Sequence, residues 1–386
     1  MTRRLPRRRW TLALLLALLA GGEMAVSGRA AAGALRGHAS AGAGWDTNPL
    51  EWTGASHRRG DAFARIDAGM RWESGGATGS GWTAEMRWGA ERYVRERSEN
   101  RHLLLFALSR RFPGAQGWKT FLEVSARAFP QQPEAESRLR GDRDVLRLET
   151  GVEGAAARRG TTILWSARLV GLSKESVRAH PEGAGPRAFT SPVERSRAAV
   201  VLRGEGRLRE QAGWRPFVSL QASGIRHERG AIETAGGGEA FEAGSRRRDG
   251  VLEAEGGVSR AGSPSLRCAA AYQRAWSNSY GVAFERVRLD LSAGLLLPWS
   301  ASAHLLVRWH PLSNYLDDAR LVDPLEDPDD PEFGERNRIV LSLRRPLAGP
   351  FSVEASAGWH RNEAVVLLED YEKAVYQLGL RYETPE

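Results

Sequence analysis

The sequence predicts an all-β fold, a transmembrane antiparallel up-and-down β-barrel of about 16 strands, within a range of about 14 to 18. Three observations lead to this prediction. Apolar and polar residues alternate with a period of two in segments that recur after Ala34, many of these segments exceed ten residues, and the connections between them are alternately short and long. A strand directs successive side chains to opposite faces, so each segment has one apolar and one polar face. Tilted strands of about nine to eleven residues or more are long enough to cross a bilayer.

The first 32 residues have the three parts of a secretory signal peptide. Five arginines lie between Arg3 and Arg9, an apolar run follows from Trp10 to Ala20, and small residues lead to Ala30-Ala31-Ala32. This eleven-residue run is shorter than the helix of about 20 residues that spans a bilayer. We therefore expect residues 1–32 to be a cleaved signal peptide and residues 33–386 to form a single outer-membrane β-barrel domain.

Charge and cysteine content exclude several classes of protein. The formal net charge is +8, but six arginines and one glutamate in residues 1–32 account for five of these charges, which leaves about +3 on residues 33–386. A nucleic-acid partner is not expected, because such proteins carry a strong basic excess. Cys268 is the only cysteine, which excludes an intrachain disulfide and a thiolate metal cluster. The sequence predicts no cofactor.

The segment FARIDAGMRWE, residues 63–73, shows the alternation most clearly. Ile66 and Met70 belong to the apolar set, whereas Arg65 and Asp67 belong to the charged set. A soluble β-sandwich also alternates, but its strands are typically about five to six residues long. In a membrane barrel the apolar set faces lipid and the charged set faces the lumen. Applied along the chain, this rule predicts fourteen lumen-lining residues: Arg65, Asp67, Arg71, Glu85, Arg87, Arg147, Glu149, Arg203, Glu205, Arg288, Asp290, Arg308, Glu354 and Arg381.

The connections support a closed barrel. Short ones such as 158–160 and 347–350 are rich in turn-forming residues, and longer ones include 176–194, 230–247 and 317–335. Outer-membrane barrels have short periplasmic turns and long outer loops, and closure satisfies every backbone hydrogen bond in lipid. The acidic residues within 323–335 could supply oxygen ligands to calcium, but three interrupting prolines favour a solvated loop.

The last strand resembles the terminal β-signal of outer-membrane barrels. Its sequence QLGLRY contains a polar residue, a glycine two positions later and an aromatic residue three positions beyond, namely Gln377, Gly379 and Tyr382. The resemblance implies recognition by the barrel assembly machinery of the outer membrane. The chain departs from the pattern because Glu383 to Glu386 follow where the family usually ends on a hydrophobic residue.

The end of the first strand resembles a second bacterial pattern. The residues GWDTNP, from Gly44 to Pro49, are similar to a segment found where the first strand leaves the membrane in several barrel families, which include barrels associated with exopolysaccharide secretion and barrels that help surface lipoproteins across. The resemblance implies periplasmic polysaccharide-export components as partners. The same residues are also ordinary turn chemistry, since Asp and Asn side chains bond the local backbone and proline ends the ladder.

These features favour a hydrophilic channel, for export of polysaccharide or passage of polar solutes, in contact with outer-membrane lipid. The alternative is a structural or assembly-factor barrel with an occluded lumen. A less favoured alternative is an outer-membrane lipid hydrolase, which uses serine and histidine. Ser302, His304 and His310 lie at alternate positions of one predicted strand and therefore share a face. By the alternation these residues face the lumen, where acyl chains are absent, and no G-x-S-x-G motif is present. We therefore expect no enzymatic activity.

Overall fold

The computed structural model describes most of the chain after residue 33. The described ranges are 34–49, 59–74, 81–96, 100–114, 118–128, 144–177, 192–234, 240–279, 283–315, 337–362 and 371–384. The predicted signal peptide and the acidic segment 323–335 lie outside them. No helix within these ranges is long and apolar enough to cross a bilayer.

Sixteen antiparallel strands form one closed barrel, which confirms the predicted fold class and strand number. Each strand pairs with its neighbours in the chain, and the first pairs with the last, so none of the sixteen is left with an open edge. The strands are β1 (Ala34–Asp46), β2 (Asp61–Glu73), β3 (Gly81–Tyr93), β4 (Arg101–Pro113), β5 (Trp118–Ala128), β6 (Asp144–Arg158), β7 (Thr161–Val177), β8 (Pro192–Arg207), β9 (Trp214–Thr234), β10 (Ala240–Arg260), β11 (Ser265–Ser277), β12 (Phe284–Leu296), β13 (Ser302–Tyr315), β14 (Asn337–Pro346), β15 (Phe351–Asn362) and β16 (Tyr371–Glu383).

The short turns lie at the end of the barrel where β1 begins and β16 ends. Between β6 and β7 the turn consists of Arg159 and Gly160, whose φ angles are 49° and 82°. Two successive residues with positive φ match the twist of the flanking strands, which is why tight hairpins use this geometry. Between β12 and β13 a 3₁₀ turn at Pro298–Ser300 makes the connection.

One predicted connection is wrong. Residues 230–247 were expected to form a loop, but β9 continues to Thr234 and β10 begins at Ala240, so both strands have 21 residues. Their backbone pairing continues through register shifts between Glu242 and Arg248. Apolar and polar residues do not alternate with a period of two between 230 and 247, so the sequence pattern carries no sign that both strands continue there.

Large apolar side chains are exposed on one face of the wall. Ile66 is 47% exposed, Leu169 is 58% exposed and Leu378 is 60% exposed. Exposed apolar side chains of this kind occur on strands all around the barrel, and such a surface is one that water disfavours and lipid accepts. The opposite face of the wall carries the charged set.

Candidate functional site: the inner wall of the barrel

The register places all fourteen predicted residues on one face of the wall. Residues directly opposite on antiparallel strands share a face, and Asp67 is opposite Ser40, which is itself opposite Arg381. The same relation joins Glu85 to Arg147 through β4 and β5, and Asp290 to Arg308 across β12 and β13. When directly opposite residues are followed from strand to strand around all sixteen strands, the path returns to the same face of β1.

This face is the concave one. A cavity of about 390 Å³ is lined mainly by residues of that face from six successive strands, among them Leu105 of β4, Arg147 of β6 and Ser223 of β9. Side chains from six neighbouring strands can border one cavity only on the inside of a curved wall. The fourteen residues therefore belong to the inner wall, and whether they border an open passage stays a prediction.

Arg288 is the centre of an extended network on the inner wall. Its Nε donates to Asp290 Oδ2 at 2.7 Å, and its Nη2 donates to Glu253 Oε1 at 3.1 Å. Its Nη2 also lies 3.6 Å from Glu255 Oε2. Arg308 Nε donates to the other oxygen of Asp290 at 2.8 Å. Arg267 of β11 donates to Glu255 Oε1 at 2.6 Å, so the four strands β10 to β13 are joined across their inner faces by charge-assisted hydrogen bonds.

Two smaller networks each centre on a glutamate. Glu149 of β6 is buried and accepts hydrogen bonds from Arg147 and from Arg168, the latter at 3.0 Å. Glu205 of β8 lies 3.2 Å from Arg203, and Arg207 Nε donates to it at 2.7 Å. Each carboxylate is held between two guanidinium groups, so neither leaves an unpaired buried charge.

A third set of contacts surrounds the seam between β1 and β16. Asp67 accepts from Arg87 Nε at 2.7 Å and lies 3.1 Å from Nε2 of His38. Arg381 Nη2 lies 2.7 Å from Glu383, and its Nη1 is 3.7 Å from Glu354.

Twelve of the fourteen residues take part in ion pairs, and two do not. Arg71 pairs with Glu73 of its own strand at 2.7 Å rather than with Glu85 directly opposite it. Among the described residues, no ion pair involves Arg65 or Glu85. Exposed pairs contribute only about 0–1 kcal/mol each, so the networks mainly fix where positive and negative groups lie on the inner wall.

Sequence reasoning missed an apolar patch on the same wall. The cavity described above is also lined by Val170, Leu172, Val201 and Ile225, which occupy inward positions where the alternation predicts polar residues. The available signal was Ala198–Leu202, in which residues of both parities are apolar. The barrel interior is consequently not polar throughout.

A buried polar cluster near the far end of β9 and β10 was also missed. His227 Nε2 lies 2.7 Å from Asp249 Oδ2, Arg247 Nη2 lies 2.8 Å from the same oxygen, and Ser277 donates to Oδ1 at 2.6 Å. Three consecutive arginines at 246–248 hide the alternation in the sequence, so burial of the middle one became visible only in the structure.

The hydrolase alternative gains a serine–histidine contact but no catalytic set. Ser302 shares the face of His304, but the serine that contacts His304 is Ser292, whose Oγ lies 3.0 Å from Nε2. Both residues are on the inner wall, whereas the apolar surface is outside. No described carboxylate pairs with His304. The absence of enzymatic activity stays a prediction.

The GWDTNP segment closes the barrel. Asp46 Oδ1 accepts from the backbone N–H of Asn48 at 2.8 Å, which holds the turn. Thr47 exchanges two hydrogen bonds with Ala374 of β16, one through its backbone N–H at 3.0 Å and one through Oγ1 at 2.8 Å. The side chain of Asn48 donates to the carbonyl of Glu372 at 3.2 Å. The motif thus extends the β1–β16 pairing beyond the end of β1.

The terminal-signal residues lie on β16 at this same seam. Gln377 is opposite Gly44 and Gly379 is opposite Gly42. A Cβ on Gly379 would meet the backbone oxygen of Ala41 at 2.8 Å, so the close approach of the two strands requires glycine there. The ring of Tyr382 packs on Phe351 at 5.4 Å between centroids. Recognition of these residues by the assembly machinery stays a prediction.

No family model matches the sequence, and no curated protein matches it. Several solved structures are similar in fold. CdiB from Acinetobacter baumannii is 10% identical with a TM-score of 0.48, and the match covers 90% of this chain and 60% of that one. A bacterial polysaccharide outer-membrane secretin is 10% identical with a TM-score of 0.40, covering 92% and 99% of the two chains. OccK2 (OpdF) from Pseudomonas aeruginosa is 11% identical with a TM-score of 0.41, covering 90% and 97%. Similarity at this level concerns the barrel architecture and carries no information on the activity of this chain.

Proposed function

We propose that this protein resides in the bacterial outer membrane, where its barrel forms a hydrophilic channel. The observation that carries the proposal is the separation of the two faces of the wall. Twelve predicted residues make ion pairs on the inner face, while exposed apolar side chains such as Leu169 and Leu378 cover the outer face. A wall with this polarity is stable when lipid surrounds it and water fills it.

Polar solutes, including the sugar units of an exported polysaccharide, are the proposed cargo. Paired charges of both signs offer donors and acceptors without strong selection for one ionic sign. Hydroxyl groups of Ser292, Ser342 and Ser356 occupy inward positions on β12, β14 and β15, on the same face as these pairs. The GWDTNP resemblance supports polysaccharide among polar cargoes.

Conductance in planar bilayers tests the channel. The purified barrel should give discrete conductance steps, and the double variant Glu253→Gln, Glu255→Gln should shift the permeability ratio toward anions because two inner negative charges are removed. Glu285→Gln is the matched control, since Glu285 pairs with Arg274 on the outer face at 3.1 Å. Absence of any conductance would contradict an open channel and favour the occluded barrel.

The inner apolar patch is the observation that favours occlusion. Leu172 is buried although it lies on the inner wall, next to Val170 and Val201 in the lining of one cavity. A narrowed interior would follow if further side chains cover this patch.

The cargo proposal has its own test: deletion of the gene should reduce secreted or capsular polysaccharide, and unchanged sugar with intact conductance would leave a general channel for polar solutes.

A further inference from the structure

The outer surface of β9 to β11 carries an aromatic side chain that lies flat on the wall. Trp276 of β11 is 51% exposed, and its ring covers Gly250 of β10 so closely that a Cβ there would lie 2.2 Å from the indole. Gly224 of β9 is directly opposite Gly250, and a Cβ on it would meet no atom within 4 Å. Exposed tryptophans on the outside of membrane barrels mark the boundary between hydrocarbon and headgroups.

Two arginines face each other immediately beyond this aromatic position. Arg226 of β9 and Arg248 of β10 are directly opposite, both are exposed, and each lies two residues further from the short-turn end than Gly224 and Gly250. Two residues along a strand correspond to about 6.6 Å. On a barrel strand tilted by roughly 40°, this is about 5 Å along the membrane normal, so a barrel with Trp276 at the hydrocarbon boundary has these guanidinium groups at the depth of the lipid phosphates.

The pair carries two positive charges that neighbouring side chains do not neutralise. Like charges directly opposite on a sheet are destabilising, yet no described carboxylate makes an ion pair with Arg226 or Arg248. Glu228 is exposed near Arg226 but forms no ion pair with it, and Glu285 is paired with Arg274 at 3.1 Å. Such an arrangement becomes favourable when an anion lies between the two guanidinium groups.

We propose that Arg226 and Arg248 bind the phosphate of an anionic lipid headgroup in the outer leaflet, with Trp276 packed beside the lipid at the hydrocarbon boundary. The inference rests on the proposed membrane placement and goes beyond the channel function. The occupant is a lipid phosphate rather than free phosphate because the site is on the apolar outside of the wall, where Gly224 leaves open surface for the rest of the lipid.

Lipid association of the full barrel tests the site. The barrel is reconstituted in phosphatidylcholine vesicles, and the association of spin-labelled phosphatidic acid is compared with that of spin-labelled phosphatidylcholine. The wild type should prefer phosphatidic acid by about thirtyfold, given the attraction of two basic side chains to an anionic surface. The double variant Arg226→Gln, Arg248→Gln should lose the preference.

The matched control changes two arginines of the outer surface at the short-turn end. Arg110 lies over the ring of Trp82, and Arg345 is exposed next to the β14–β15 turn. Arg110→Gln, Arg345→Gln should keep the preference. Equal preference in the wild type and the Arg226/Arg248 variant would overturn the proposal. A second measurement compares the wild type in 50 mM inorganic phosphate with the wild type in sulfate at equal ionic strength. If the preference is lost only in phosphate, the site binds free phosphate and the proposal is again overturned.

The result is distinguishable from failure of the channel proposal. The Arg226/Arg248 variant should retain wild-type conductance, because both residues are outside. A barrel that shows the lipid preference without conductance would contradict the channel alone, and a conducting barrel without the preference would contradict the lipid site alone. Heat-dependent gel mobility checks that each variant is folded.

Discussion

Removal of Arg288 provides the sharpest test of the inner networks. The Arg288 side chain is only 18% exposed and holds three carboxylates, those of Asp290, Glu253 and Glu255. In the Arg288→Gln variant, Asp290 still has Arg308 at 2.8 Å and Glu255 still has Arg267 at 2.6 Å. Only Glu253 loses its ion pair, so the cost is that of one partly buried carboxylate, about 1.5–3 kcal/mol.

Urea unfolding in lipid vesicles, followed by tryptophan fluorescence and gel mobility, measures this cost. Arg203→Gln is the control, because its side chain is 45% exposed and Glu205 keeps Arg207; its expected loss is below about 1 kcal/mol. Adding Glu253→Gln to Arg288→Gln should recover part of the loss, since the stranded charge is then gone. The reasoning would be refuted if Arg288→Gln were no more destabilising than Arg203→Gln, or if the second change gave no recovery.

Three further predictions concern the two faces and the seam, all measured by the same unfolding assay. Leu202→Arg, on the outer face, should be clearly more destabilising than the inward Val201→Arg, because a charge on the lipid face costs about 2–4 kcal/mol at the bilayer midplane and less toward the interfaces; equal costs would contradict the assignment of faces. Gly250→Leu should destabilise by about 1–3 kcal/mol because the indole lying across it must move, and Gly224→Leu, which meets open space, should have little effect. Asn48→Ala should cost about 1 kcal/mol through loss of its hydrogen bond to β16, and an unchanged midpoint would show that the seam does not depend on it.

Much of the architecture was accessible from the order of residues. The alternation at Arg65, Ile66 and Asp67 defines which side chains share a face, because strand geometry fixes the direction of successive side chains. Turn-forming residues at 158–160 indicated a tight hairpin for the same local reason, and Arg159 and Gly160 have the required positive φ. Local geometry of this kind needs no knowledge of the partner strand.

Pairing between particular residues was not accessible in the same way. Arg71 and Glu85 are opposite each other, but Arg71 pairs with Glu73, because a long flexible side chain reaches along its own strand as easily as across. Ser292, not Ser302, lies beside His304, since the neighbour is set by the register between β12 and β13. The alternation identifies the face on which a side chain lies, but it does not identify the side chain that it contacts.

The sequence by itself determined the barrel class, the strand number and the two faces of the wall, since these depend on period-two patterning and on the length needed to cross a bilayer. Only the tertiary structure decided the rest: the network around Arg288, the apolar patch at Leu172, the hydrogen bonds that GWDTNP makes to β16, and the opposed pair Arg226 and Arg248. Each of these joins residues far apart in the chain, and their distances depend on how each strand is shifted against its neighbour, a quantity that no single segment encodes.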